Sequence, residues 1–342
     1  MRPIGRKIGW GIVGCGDIAN KRVVPAIQGL TNTQLVACVR RDAKRVVEFQ
    51  SRYGISKGYG NYAEFLKDSE LETVYLATPV WLHCSQAIEA AEKGKHVLCE
   101  KPMAMNTKEC GRMIDACRIN GVKLGVAYYR RFYPVVLKIQ EIIRQGLIGE
   151  PIFVRSTLVE HARLDGKTGL SWRFVPEQGG GGLLMDVASH RLDLLVMLFG
   201  QPESISAFTD IRTCPIDVED TGSLLIRFTS GLHATVFSSH CIKHPRDDFE
   251  IFGSEGSLKV SPLNSNRLEV IKDNVKTFDL PKADNVHQPL LEDFNRAIIE
   301  DRQPVVPGEE GLKTSLLLEA AYESACSGRV VGIDPSIRFL GG

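Results

Sequence analysis

Gly14-Cys15-Gly16-Asp17-Ile18-Ala19 lies between an apolar run, Ile8 to Val13, and a helical stretch, Ile18 to Leu30. No other feature of the chain restricts its fold as much. A first glycine makes the tight strand-to-helix turn, and a second lets backbone N–H groups approach a pyrophosphate. A third small residue, here Ala19, lets helix pack on strand. The anion then rests on the helix N-terminus, where unpaired N–H groups and the helix dipole favour negative charge. Alone, the six residues fit a glycine-rich turn equally well. Set between strand and helix, they point to dinucleotide binding through Gly14, Cys15, Gly16, Asp17 and Ile18.

The surrounding pattern supplies that setting. Further apolar runs follow at Gln34 to Val39, Thr73 to Ala77, His96 to Cys99 and Lys123 to Ala127. Helical patterns separate them at Ala43 to Tyr53, His83 to Lys93 and Thr107 to Asn120. Strands alternating with helices of ~10–15 residues need right-handed crossovers, so residues 1–127 predict a doubly wound parallel α/β domain, a Rossmann fold. After the helix near Pro134 to Gln145 the strands come in succession: Phe153 to Glu160, Ser204 to Ile211, Gly222 to Phe228, His233 to Ser239, Phe249 to Phe252 and Leu268 to Ile271. Turns such as Thr229-Ser230-Gly231 join several of them, which predicts a large open, mostly antiparallel sheet. Helices are expected at Leu183 to Phe199, Leu290 to Glu300 and Glu309 to Cys326. Residues 128–342 therefore read as an α+β domain. Its few helices leave one sheet face uncovered, a surface suited to a homodimer or homotetramer.

A length of 342 residues suits two such domains. Lys and Arg number 42 against 41 Asp and Glu, a balance that offers no electrostatic footprint for nucleic acid or an anionic membrane. No run approaches ~18 apolar residues, and the start, Met1-Arg2-Pro3-Ile4-Gly5-Arg6-Lys7, leads into a glycine-containing strand rather than a signal-peptide core. The nine cysteines include no Cys-x-x-Cys pair, so neither a disulfide framework nor a zinc site is expected. The expectation is a cytoplasmic, reduced protein without metal.

Three segments carry candidate chemistry. Val39-Arg40-Arg41-Asp42 ends the second strand, where an NAD site usually places an acid for the ribose 2′-hydroxyl. Arg40 and Arg41 instead suit a 2′-phosphate, which favours NADP over NAD; the bland alternative is a solvated pair before a helix capped by Asp42. Glu100-Lys101-Pro102 leaves the strand His96 to Cys99 at its carboxyl end, where ligands collect. A desolvated lysine there can polarise a substrate oxygen, and Pro102 fits a fixed turn with a cis bond, although such a tripeptide alone also fits an exposed loop. Gly179-Gly180-Gly181-Gly182 lets the backbone approach a ligand or a neighbouring element, then gives way to a helix carrying Asp186 and His190. Four residues apart, those two side chains share a face with Cβ atoms ~5–6 Å apart. A carboxylate there can orient an imidazole as a general base; a surface pair has the same spacing. Asp193 reads as structural. Tyr128, Arg131, Trp172 and Arg173 have the aromatic and guanidinium character that binds a sugar. His240 and His244 lack an evident third metal ligand, and His83 and His287 are undecided.

In this order the segments resemble the glucose–fructose oxidoreductase / inositol dehydrogenase (Gfo/Idh/MocA) family. The resemblance runs through Gly11-Ile12-Val13-Gly14-Cys15-Gly16-Asp17-Ile18-Ala19, Ala77-Thr78-Pro79 with His83, Glu100-Lys101-Pro102, Arg131, Trp172-Arg173, and Gly180-Gly181-Gly182 leading to Asp186 and His190. It covers nearly the whole chain. It implies NAD or NADP as cofactor, with Thr78, Pro79, His83, Glu100 and Lys101 on the cofactor side, and dimers or tetramers built on the open sheet. It implies that Lys101, Asp186 and His190 act on a secondary alcohol or ketone of a sugar or polyol. The loop from His161 to Ser171, where members differ most, leaves the substrate unnamed. Two alternatives stay open: a redox-neutral enzyme that cleaves glycosides with a retained cofactor, and a sensing protein that keeps the fold without the chemistry.

Overall fold

Every residue of Ile8–Val13 (β1) is buried, as for a strand covered on both faces. The structure, a computed structural model, describes residues 6–161 and 171–334. Thr33–Val39 (β2), Lys57–Tyr59 (β3), Thr73–Leu76 (β4), His96–Cys99 (β5) and Leu124–Val126 (β6) join β1 in a parallel sheet of order β3-β2-β1-β4-β5-β6. The order reverses between β1 and β4. Ligands of such sheets bind outside the carboxyl ends of the strands at that reversal, where Gly14 follows β1 and Thr78 follows β4. β3 and the helix Tyr62–Leu66, of three and five residues, are too short to show a periodicity and were not expected. The Asp42 carboxylate caps the helix Ala43–Tyr53 by accepting from the N–H groups of Lys44 and Arg45 (3.1 and 3.3 Å), and Gly54 ends it at φ 66°.

Two compact units make up the chain, the first from Met1–Tyr129 with Asp284–Leu312 and the second from Arg130–Ala283 with Lys313–Gly342. One boundary at 127/128 therefore omits a return of the chain to the first unit. In that return, the helix Gln288–Ile299 sets Phe294 against Trp10, ring centroids 5.9 Å apart. Asn295 accepts a hydrogen bond from the buried Trp10 indole (3.0 Å), and Val306 O accepts from the Val126 N–H (2.9 Å).

The second unit holds Pro151–His161 (β7), Pro202–Asp210 (β8), Thr221–Phe228 (β9), His233–Ser239 (β10), Cys241–Gly253 (β11), Ser257–Val260 (β12), Arg267–Ile271 (β13), Val275–Asp279 (β14) and Val331–Gly332 (β15). They form a sheet of order β14-β13-β12-β11-β7-β10-β9-β8-β15. Only the β7–β10 pair is parallel. Strand alternation sends Val154, Ile205, Leu224, Ile226, Val236 and Ile251 into a core shared with helices Pro134–Arg144 and Ser189–Phe199. Phe208 and Leu225 point the other way and are 71% and 50% exposed. Where the sequence reads as one helix from Leu183, a π-helical turn over Leu184–Ala188 precedes the α-helix Ser189–Phe199. His244 lies within β11, in a shift of register between Cys241 and Arg246.

Asn295→Leu removes the acceptor of a buried indole N–H and is expected to cost about 1–3 kcal/mol of stability. Urea unfolding checks this; an unchanged midpoint would show that the Trp10 N–H finds another partner.

Candidate active site

Each unit presents its own group of functional side chains. In the first, Gly14 adopts φ 93°, and a Cβ there would lie 2.7 Å from Ala77 O, so the turn admits only glycine. A Cβ on Gly16, by contrast, would meet nothing within 4 Å. That open space, at the start of the helical segment Ala19–Gly29, fits a pyrophosphate held on backbone N–H groups. The segment opens with a π-helical turn, Ala19–Val23, and Asp17 pairs with Lys21 (3.0 Å) at its exposed edge. Arg40 is half-buried and donates from Nη1 to Cys15 O (3.1 Å), tying the end of β2 to the glycine turn. Arg41 is exposed, and Asp42 is the helix cap described above.

Behind β4 and β5 lies a buried polar layer. His83 is 1% exposed, with Nε2 2.9 Å from Thr78 O and Nδ1 3.1 Å from Pro102 O. Burial pushes its imidazole below the usual histidine range, against the two main-chain carbonyls that favour the charged form. Both ring nitrogens face main-chain carbonyls, so His83 braces the Thr78-Pro79 turn against the cis Lys101-Pro102 bond. Glu100 lies under Lys101. Burial raises its carboxyl, but the nearby His287, the hydrogen bond from the Tyr75 hydroxyl (2.7 Å) and the Lys101 charge outweigh this and hold it below the ordinary range. His287 Nε2 stands 3.7 Å from Glu100, an ion-pair distance beyond a hydrogen bond, and its ring stacks on Tyr129 at 4.3 Å. Lys101 itself is half-buried.

In the second unit Gly179, Gly181 and Gly182 serve close contact with neighbouring elements. A Cβ on Gly181 would collide with the Tyr322 hydroxyl, and one on Gly182 with Glu219 O. Glu219 accepts from the N–H groups of Gly182 and Leu184 (2.9 Å each) and from the Tyr322 hydroxyl (2.8 Å). Burial and the Glu219 carboxylate push the Tyr322 phenol well above its ordinary value, keeping it a donor. The helix held in this way carries Asp186 in its π-helical turn and His190, 5% exposed, in the first turn of α-helix. Such turns recur at functional sites. Arg173 donates from Nη1 to both Asp186 oxygens (3.1 and 3.0 Å), and its guanidinium lies 5.3 Å from the Trp172 ring centroid. Three residues expected in a site, Trp172, Arg173 and Asp186, are thus brought together.

Two expectations need correction. Arg131 is 4% exposed and donates from Nε and Nη2 to the buried Asp193 carboxylate at 2.7–3.1 Å, so that edge of its guanidinium is committed to a structural ion pair. Tyr128 is fully buried, which leaves no ring face for a sugar. His240 Nδ1 faces Glu160 at 3.0 Å. The specificity loop expected at 161–171 lies mostly outside the described residues, at 162–170. Sequence reasoning missed Glu219, Tyr322, Tyr75 and the part played by His287. Of these only the Glu219-Asp220 pair stands out in the sequence, and an acidic pair before a strand reads as surface.

A glycine turn at a topological switch point, with a lysine at a neighbouring strand end, suits a nicotinamide-nucleotide-dependent oxidoreductase. Comparison with known proteins agrees. Residues 8–128 match the family model described as oxidoreductase family, NAD-binding Rossmann fold, and residues 136–259 match the GFO/IDH/MocA C-terminal domain. The chain belongs to the Gfo/Idh/MocA family of oxidoreductases. It is 30% identical over 336 residues to D-xylose 1-dehydrogenase (NADP(+)) 2 of Haloferax volcanii, spanning 95% of this chain and 99% of that protein. It is 29% identical over 340 residues to 1,5-anhydro-D-fructose reductase of Ensifer adhaerens, spanning 96% and 99%. The crystal structure of the WlbA dehydrogenase from Bordetella pertussis, in complex with NADH and UDP-GlcNAcA, superimposes with a TM-score of 0.87 at 29% identity, covering 97% of this chain and 99% of that one. Among the described residues no helix is long and apolar enough to cross a membrane.

Arg131→Met leaves the Asp193 carboxylate buried without its cation and is expected to cost about 3–5 kcal/mol. Adding Asp193→Leu should recover much of that loss in thermal melts. A folded Arg131→Met variant of full stability with a raised KM would return Arg131 to the substrate.

Proposed function

We propose that this oxidoreductase prefers NADP(H) and moves hydride between the nicotinamide and a secondary alcohol or ketone of a sugar or polyol. The observation that carries the cofactor preference is Arg40. It stands at the end of β2, where an acid would contact a 2′-hydroxyl, and its guanidinium is anchored on the glycine turn at Cys15 O. Gly14, Cys15, Gly16, Asp17 and Ile18 would hold the pyrophosphate, Arg40 and Arg41 the 2′-phosphate, and the turn Thr78-Pro79 with Glu100 and Lys101 would flank the nicotinamide side. Bound there, the dinucleotide supplies the hydride donor or acceptor. The substrate class is supported by the names of the two curated relatives, a xylose dehydrogenase and an anhydrofructose reductase.

The chain's own residues divide the remaining work. In the oxidative direction the second unit's His190 takes the hydroxyl proton, and the first unit's Lys101 supplies positive charge on the cofactor side. Asp186, held by Arg173, sets the electrostatics of the helix that carries His190. Trp172 offers a flat, half-buried ring for the C–H face of a sugar.

Aldoses, polyols and keto-sugars screened against both cofactors, followed by absorbance of the reduced nicotinamide, test this reading. Tighter binding of NADP(H) is expected, lost when Arg40 and Arg41 become alanine. A tighter NAD(H) site in the wild type would overturn the preference. His190→Ala should lower kcat by ~10²–10⁴-fold with cofactor Kd nearly unchanged, and near-normal kcat in the folded variant would remove His190 from the chemistry.

We propose further that the outer face of the second sheet, with Phe208 and Leu225 exposed, pairs with a second copy of this chain to give a dimer or tetramer. Light scattering at micromolar concentration should show more than one chain per particle, and Leu225→Arg should weaken the assembly. A wild-type monomer would sink the proposal.

A further inference from the structure

Cys214 lies between β8 and β9, and Cys241 opens β11, yet their sulfurs are 3.2 Å apart. Six of the other cysteines are buried and Cys326 is exposed, whereas Cys214 and Cys241 are both half-buried and within reach of a solute. Asp220 fixes the connection that carries Cys214. Its Oδ2 accepts from the N–H groups of Arg212, Thr213 and Cys214 (3.0, 3.0 and 2.9 Å), and its Oδ1 accepts from Arg212 N–H (2.9 Å) and the Thr221 hydroxyl (3.0 Å). The same residue holds the other sulfur's neighbourhood, since Asp220 O accepts from the His240 N–H (2.9 Å). Cys241 N–H in turn donates to the Ser239 hydroxyl (3.1 Å).

We propose that Cys214 and Cys241 form a thiol–disulfide site that reacts with small disulfides of the glutathione type. The Cys241 thiolate attacks one sulfur of the external disulfide, forming a mixed disulfide and expelling one thiolate. Cys214 then gives up its proton to solvent and attacks the Cys241 sulfur, forming the internal bond and expelling the second thiolate. The two protein thiols lose two electrons, and the external disulfide gains them as two thiols. Burial, with the neighbouring Cys241 and Asp220, pushes the Cys214 thiol up, which slows its own step in the exchange.

A metal is the competing occupant, because the two sulfurs and an Asp220 oxygen lie within 4.8 Å of one another. The donor set argues against it. Both Asp220 oxygens are already occupied by N–H and hydroxyl donors, and two thiolates on a tetrahedral zinc with Zn–S of ~2.3 Å would stand about 3.8 Å apart, farther than these sulfurs.

The test uses the full chain with Cys326→Ser to remove the exposed thiol. After oxidised glutathione and desalting, intact mass should fall by two hydrogens, and peptide mapping should join the Cys214 and Cys241 peptides. The crosslink closes a long loop, so Tm should rise by roughly 3–6 °C and return on reduction, with neither change in Cys241→Ser. Two cysteines still open to alkylation, or a crosslink mapped elsewhere, would overturn the proposal. So would zinc retained at one equivalent by the parent, lost in Cys241→Ser, with no fall in mass under oxidant.

Discussion

The first N–H groups of a helix have no partner within it, and in the second unit one carboxylate supplies the missing acceptor. Glu219 accepts from Gly182 and Leu184 on one side and from the Tyr322 hydroxyl on the other. Much of the local sequence follows from that clamp. The carboxylate reaches the helix only if the incoming chain passes close to Glu219 and Tyr322, and that closeness leaves no room for side chains at 181 and 182. The close packing at 181 and 182 is therefore a requirement, and the helix it permits presents Asp186 and His190 from a start pinned by Glu219. An anionic clamp also suits the positive end of the helix dipole.

The first unit reaches similar rigidity with buried polar groups behind its loops. His83 ties two strand-end turns through main-chain carbonyls, and Glu100 is held charged by His287, Tyr75 and Lys101 despite burial. Groups of this kind fix loop geometry while leaving the space at Gly16 open to ligand. Neither unit places its chemistry on a long unsupported segment among the described residues.

The parts legible in the sequence were those with a local cause. β1, its glycine turn and Asp42 as a helix cap could be read because each depends on residues a few positions apart. Asp193 and Arg131 are 62 residues apart, and their pairing was invisible. An arginine after a strand looks the same whether it meets a ligand or a buried acid. The Glu219 clamp was hidden for the same reason, since its partners lie 35–37 residues before it and 103 after. The return of Asp284–Leu312 to the first unit was missed because an amphipathic helix shows which face it buries but not against what. β3 and β15 escaped by brevity alone.

That return also bears on how the protein is made. Trp10 emerges from the ribosome early, but Phe294 and Asn295, which close its surroundings, are synthesised more than 280 residues later. At ~5–20 residues per second, the N-terminal sheet waits on the order of 10 s after residue 129 before its last helix is available. During that interval β7 to β14 of the second unit are translated, and the first unit is completed at Leu312 before β15 of the second sheet is made. A gene fragment ending near residue 129 encodes all six parallel strands and still lacks part of their core.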